Sequence, residues 1–227
     1  MPESSKKALA WGFLGHVGYR DAVALQQRAR QRIRNGEDGD SLLLVEHPHV
    51  YTLGRSAGMA DVLVDEGRLA ARGASVEKTD RGGQVTYHGP GQLVGYPVID
   101  LNPDRRDIRR YVADLETVLV RTLASLGVEA RGRTRQPWTG VWVGEQKIAS
   151  IGVHLSRWVT THGFALNIST DLSYFRDIVP CGLQDVEMTS VERLTGNRPA
   201  LQEVASICAL AFGDVFGRRL VELDCVS

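Results

Sequence analysis

Two residues of this chain could carry covalent chemistry, and they lie far apart in sequence. Cys181 stands in DIVPCGLQDVEM, after an apolar extended run and Pro180 and before Gly182. Proline restricts the backbone and glycine removes side-chain bulk, which suits a thiol held at a pocket mouth on a fixed loop. The other use of a free cysteine is as a small buried hydrophobe. Lys147 opens the strand-like run KIASIGVH, where strict alternation puts it on the face of Ala149, Ile151 and Val153. A lysine on an apolar face either snorkels to water or is a partly desolvated amine that takes and gives protons. An ordinary thiol, with a pKa of about 8.5, is only slightly ionised at neutral pH, so a cysteine nucleophile gains from a nearby base or cation. Lys147 could supply either, and only folding could bring the two together.

The other reactive types are weaker candidates. Cys208 falls on the apolar face of a helical pattern near Val204 and Ala211 and reads as core, while Cys225 lies in the tail and has no expected role. His47-Pro48-His49 is not a zinc-ligand spacing and no Cys-x-x-Cys occurs, so no metal is expected. His88 and His162 are candidates for hydrogen bonding in a pocket, with a structural role as the alternative for each. A Walker phosphate-binding motif is absent. The stretch RGGQVTYHGPGQLVGYP (Arg81 to Pro97) threads five glycines through strand-like runs, a pattern that lets a ligand or another backbone approach closely.

These residues need a scaffold, and hydrophobic periodicity outlines one. Helical spacing runs from Tyr19 to Ile33 and stops at Asn35-Gly36. Strands follow at Ser41 to His47 and Val50 to Gly54, then a short helix near Asp65 to Ala71. ASVEKT, GQVTYH and QLVGYPVIDL read as three more strands. Ile108, Val112, Leu115, Leu119, Leu123 and Leu126 make one face of a helix over Asp107 to Leu126, which Gly127 closes. TGVWV and KIASIGVHL form a hairpin candidate around Gly144-Glu145-Gln146, and Thr161 to Ser169 a further strand. Thr189-Ser190-Val191-Glu192 offers a capping box to a short helix that Gly196 ends, and Leu201 to Phe216 is helical. Strands come in runs, so the fold class is α+β with a mixed, largely antiparallel sheet flanked by helices.

Composition sets the outer bounds. The chain has 227 residues, 43% of them hydrophobic, and no linker-like stretch divides it, so a single domain over 1–227, or one with a small appendage, is expected, with residues 1–10 frayed before a first strand. Its 27 basic and 27 acidic residues cancel, which gives no reason to expect nucleic acid or a membrane as partner. Three irregularly spaced cysteines favour a reducing, cytoplasmic setting over a disulfide framework. Basic clusters at Arg28 to Arg34, Asp104 to Arg110 and Ala130 to Arg135 read as solvated faces, or as docking sites if the substrates ride on acidic carrier domains.

Taken in order, RGGQVTYHGPGQLVGYP, GVWVGEQKIASIGVH, HGFALN and IVPCG closely resemble the lipoyl(octanoyl) transferases, from about Leu42 to about Leu194. The resemblance implies a fold like the catalytic domain of biotin protein ligases and lipoate ligases, and a two-step acyl transfer without ATP or cofactor. The donor would be octanoyl acyl carrier protein. The acceptors would be lipoyl domains of 2-oxoacid dehydrogenases and the glycine-cleavage H protein. Cys181 is then the acylated nucleophile, and Lys147 the residue that favours its thiolate and shuttles protons. By motif match the substrate pocket would be lined by Arg81, Gly82, Gly83, Gln84, Val85, Thr86, Tyr87 and His88, by Ser150, Ile151 and Gly152, and by Gly163, Phe164 and Ala165. Backbone N–H groups near the carbonyl would form an oxyanion hole. His154 is assigned no role, and a monomer is the default.

The main rival is an ATP-dependent lipoate or biotin protein ligase, which shares the implied fold and a glycine-rich pocket. ARGRTR is similar to the arginine-glycine phosphate loop of biotin ligases, but it follows the long helix instead of adjoining the glycine-rich motif, and an adenylating ligase does not need Cys181. A noncatalytic carrier-domain binding module, or an amidotransferase-like relative acting between lipoyl domains, is the remaining alternative.

Overall fold

Alternating leucines and valines set the centre of the molecule. In Leu42-Leu43-Leu44-Val45 every side chain is buried, with Leu42 and Leu44 in one apolar cluster and Leu43 and Val45 in another. A strand buried on both faces needs cover on both, and the chain supplies it from different elements. The computed structural model describes residues 6–103, 105–135, 138–179 and 186–223.

The first half of the chain contains β1 (Ala8–His16), α1 (Tyr19–Arg34), β2 (Asp40–Glu46), β3 (Val50–Leu53), α2 (Glu66–Ala71), β4 (Ser75–Lys78), β5 (Val85–His88) and β6 (Gln92–Val98). The second contains α3 (Ile108–Ser125), β7 (Arg131–Gly132), β8 (Gly140–Val143), β9 (Gln146–Ser156), β10 (Val159–Asn167), α4 (Val191–Thr195), α5 (Leu201–Phe216) and β11 (Arg219–Glu222). Eight strands form one sheet in the order β11-β1-β2-β6-β10-β9-β8-β7, and β4-β3-β5 form a second. In the large sheet β1 pairs in parallel with β11 and β2, and every other pair is antiparallel. The class is therefore α+β with a mixed, largely antiparallel sheet, as the runs of strands predict. Strand β1 begins at Ala8, so the expected fray does not reach that residue.

Helices α3 and α5 cover one face of the large sheet together, in a cluster that includes Leu93, Leu115, Leu119, Leu166, Val204, Cys208 and Phe212. Fully burying each such side chain contributes about 1.5–3 kcal/mol. Helix α1 covers the opposite face through Ala22 and Leu25, against Leu43, Val45, Val94, Tyr96 and Ala165. Two local expectations need correction. The buried face of α3 holds Tyr111, Glu116, Val118 and Thr122 beside the predicted leucines, while Ile108 is exposed, because α3 is embedded by α5 on one flank and by the approach to β8 on the other. The cap of α4 is Ser190, whose Oγ accepts from Arg193 N–H, and no capping box forms on Thr189, whose amide instead bonds to the Lys147 carbonyl.

Candidate active site

A cleft of about 540 Å3, mouth included, opens where the small sheet and the loop between β4 and β5 meet β6, β9 and β10. Its wall holds Arg81, Gly82, Gly83, Gln84, Val85, Thr86 and His88, then Lys147, Ser150, Ile151 and Gly152, then Gly163, Phe164 and Ala165. The three motifs thus converge from separate strands. Tyr87 is the exception. Alternation along β5 turns it into the core of the small sheet, where its ring stacks on Tyr174 at 4.7 Å and its hydroxyl bonds to His49 Nδ1. Tyr19, Val94, Tyr96 and His162 also line the cleft. Period-two spacing from Val94 marks Tyr96, but Tyr19, in the first turn of α1, carries no such signal.

The loop from Thr79 to Gln84 is tied down on both sides. Gly82 N–H donates to Val153 O at 2.9 Å, joining the loop to β9, and Gly54 N–H donates to Gln84 O at 3.2 Å. Arg81 is 7% exposed, and its guanidinium donates to Thr52 O at 2.6 Å and to Thr52 Oγ1 at 2.8 Å. A buried, bonded cation of this kind gives the cleft floor a fixed positive charge.

Lys147 is 1% exposed, and its placement depends on a break in the strand pattern. Trp142 pairs with Lys147 and Val141 with Ala149, so β9 carries one extra residue there, a β-bulge. Strict alternation with Ala149, Ile151 and Val153 therefore does not hold. Ala149 packs into the main core, whereas Lys147 lines the cleft with Ser150 and Gly152. The amine lies 5.5 Å from the Trp142 ring, within cation–π range. Gly140 sits against it: a Cβ there would fall 2.8 Å from Lys147 Cε, and the residue's φ of +137° is one that side-chain-bearing residues rarely adopt. On the far side of Gly140, the buried Glu116 carboxylate accepts from Gly140 N–H at 3.1 Å and from Thr134 Oγ1 at 2.8 Å. Burial pushes the Glu116 carboxyl upward, against the hydrogen bonds that pull it down. An acidic residue among the leucines of α3 was the available signal for this site.

The five glycines of Arg81 to Pro97 do less for a ligand than their number suggests. A Cβ on Gly95 would fall 2.1 Å from the Phe164 ring, so this glycine makes room for a cross-strand aromatic side chain of the cleft wall.

His47, His88 and His162 pack around the cleft, and burial disfavours their charged forms. It pushes His88 well below the ordinary imidazole range and His47 down to about 4. His162 is also lowered by burial, partly offset by Asp80, whose Oδ1 lies 2.7 Å from its Nε2. Burial would raise the Asp80 carboxyl, but the bond to His162 and the charges of His162 and His154 outweigh it and hold the carboxyl low.

Cys181 and Cys225 lie outside the described residues. The chain on either side of the Cys181 segment is anchored. Ile178 bridges to Val62, and beyond the segment Met188 bridges in parallel to Lys147, with Lys147 N–H donating to Glu187 O at 2.8 Å. Cys208 is fully buried, and burial pushes its thiol up to about 12, as suits a core residue. No cluster of three or more potential metal ligands occurs among the described residues. Nor, among them, is any helix long and apolar enough to cross a membrane.

Residues 18–213 match the family of lipoyl protein ligase A/B catalytic domains. An octanoyltransferase of Solibacter usitatus is 51% identical over 203 residues, covering 89% of this chain and 90% of the relative. The chain belongs to the octanoyltransferase family. An octanoyltransferase of Myxococcus xanthus is 47% identical over 215 residues, covering 92% of this chain, which spans 60% of that relative's length. Among solved structures, the fold of this octanoyltransferase resembles lipoate-protein ligase A bound with ATP, with a TM-score of 0.73 at 18% identity over 97% of this chain and 90% of that one. It also resembles the biotin protein ligase of Aquifex aeolicus with biotin and ATP, with a TM-score of 0.56 at 13% identity over 93% and 71%. At such identities the likeness concerns the fold alone, so the bound ATP does not extend to this enzyme.

Proposed function

We propose that this octanoyltransferase, acting as a single catalytic domain, carries its acyl group on Cys181, with Lys147 moving the protons. The donor is octanoyl acyl carrier protein and the acceptor is the lysine of a lipoyl domain. In the first step the Cys181 thiolate attacks the donor thioester. The new sulfur–carbon bond forms as the carrier's breaks, and the carrier thiolate receives the proton that Cys181 gave to Lys147. The acceptor amine then attacks the acyl-enzyme, its nitrogen–carbon bond replaces the Cys181 bond, and a proton from nitrogen returns through Lys147 to sulfur. The amide product is the stable end of the sequence.

The observation that carries this reading is the amine of Lys147, almost completely buried in the cleft wall on a strand that pairs with Met188, a few residues beyond Cys181. A lysine withdrawn from water and set into a cleft wall is placed to meet a substrate, which a surface lysine is not. The enzyme is proposed to work as a cytoplasmic monomer, with a basic cluster such as Arg28 to Arg34 steering an acidic carrier.

Intact-protein mass spectrometry tests the route. Mixed with octanoyl acyl carrier protein and no ATP, the wild type should gain an octanoyl adduct that a lipoyl domain then removes, and Cys181→Ala should gain none. Adduct formation that requires ATP would replace this route with that of a ligase.

A further inference from the structure

Behind His88 a row of side chains fixes which ring nitrogen holds the proton. His88 Nδ1 lies 2.8 Å from Gln92 Oε1, Gln92 Nε2 lies 3.2 Å from Tyr87 O and 2.9 Å from Asn167 Oδ1, and Asn167 Nδ2 lies 3.0 Å from Thr189 O. Two backbone carbonyls, Thr189 O at the far end of the row and Tyr87 O beside Gln92, can only accept. Thr189 O therefore requires the amide nitrogen of Asn167 on its side, which turns Asn167 Oδ1 toward Gln92. Tyr87 O independently requires the nitrogen of Gln92, which turns Gln92 Oε1 toward the histidine. The imidazole must then donate from Nδ1. In a neutral ring the other nitrogen, Nε2, is a bare lone pair.

Among the described residues nothing offsets this assignment. His88 is 7% exposed, and among the described residues its ring makes no hydrogen bond besides that to Gln92. Gln92 and Asn167 are each 1% exposed and sit behind the wall, so the edge of the ring away from them faces the cleft. The Tyr19 ring, 6.2 Å away and nearly parallel, and the His47 ring, 5.8 Å away and edge-on, restrain its plane.

We infer that His88 Nε2 is the hydrogen-bond acceptor for the attacking amine of the acceptor lysine. Of the groups that meet in the reaction, the acyl chain has no polar hydrogen, the carbonyl oxygen only accepts, and the nucleophilic thiolate has lost its proton. Among the reacting groups of the two substrates the amine alone brings N–H donors, and only in the second step. The same logic keeps the developing oxyanion away from this wall, because a bare lone pair repels it. Burial makes the ring a poor place to leave a proton, so His88 orients one N–H while the proton that is lost travels through Lys147. This inference rests on the acyl-enzyme reading and deepens it.

Two measurements test it. Nitrogen-15 NMR of the histidine-labelled enzyme near neutral pH, with His88 assigned by comparison with His88→Gln, should show a protonated Nδ1 and an unprotonated Nε2. The opposite tautomer or a doubly protonated ring would overturn the inference, and this readout needs no acyl chemistry. Rapid-quench mass spectrometry then separates loading by octanoyl acyl carrier protein from discharge by a lipoyl domain. In His88→Phe the ratio of discharge to loading should fall by roughly tenfold to a hundredfold, the loss of one hydrogen bond in a desolvated site. His88→Gln, which can present an oxygen acceptor, should recover most of that ratio. An unchanged ratio in an enzyme that does load removes this inference alone, whereas a wild type that never loads removes the acyl-enzyme reading with it.

Discussion

The two faces of the large sheet bury their side chains for different ends. Under α3 and α5 the buried set is mainly apolar, with Thr122 and Glu116 its polar members on α3, and even its thiol, Cys208, is held protonated by its surroundings. On the cleft side, polar and ionisable groups are buried just as deeply: Arg81, His88, Gln92, Lys147, His162 and Asn167 are all at most 7% exposed. A buried polar group costs stability unless it is hydrogen-bonded, so the second face spends on arrangement what the first contributes in burial. Fold stability and reactivity thus sit on opposite sides of shared strands, and a substitution on one side should leave the other's property nearly intact.

The largest expected effect tests the reactive side. Cys181→Ser should abolish turnover, and Lys147→Arg, which keeps the charge but loses a usable base, should lower the rate by about 10²–10⁴-fold. Equilibrium unfolding should show that Cys181→Ser leaves stability unchanged. A comparable stability loss would erase the distinction between the faces. On the packed side, Leu119→Ala should cost about 2–5 kcal/mol in denaturant unfolding while the enzyme that remains folded keeps its KM.

Acid sharpens the contrast. His47 is pushed from its ordinary 6.5 down to about 4 by burial, so the unfolded chain binds a proton at a higher pH than the folded one. Stability is then complete above about 6.5 and is lost as pH falls toward 4, by roughly 3 kcal/mol from this residue. His88 and His162 shift in the same direction and add to the loss. Denaturant titrations from pH 7 to pH 4 should show that slope, and His47→Gln should flatten it. Gly140→Ala should cost roughly 1–3 kcal/mol in backbone strain and more where its methyl meets the Ala149 carbonyl, with a fall in rate as the methyl also presses on Lys147.

The packed face was largely legible in the sequence. The apolar spacing of α3 and α5, the glycines at 127 and 196, and the run at 42–45 follow from periodicity and capping, which are local. The cleft was legible as a set of motifs, but its geometry was not. One extra residue opposite Trp142 turns Lys147 toward Ser150, and no propensity marks a bulge that depends on the partner strand. Tyr87 belongs to the glycine-rich motif yet serves the small sheet's core, because a strand must turn every second side chain away. Glu116 joins the site from a helix far outside every motif, through a hydrogen bond that only tertiary folding creates.

The row running from His88 through Gln92 and Asn167 to Thr189 O behaves as an electrical insulator with a fixed polarity. A chain of waters in its place could reverse direction and conduct protons, but carboxamide nitrogens do not release theirs near neutral pH, and the backbone carbonyls of Tyr87 and Thr189 that fix the two amides cannot be flipped. Its three donors all point away from the cleft, so each bond strengthens the next and enriches the electron density left on Nε2. Any proton that reaches that nitrogen has one exit, back into the cleft toward the reacting groups.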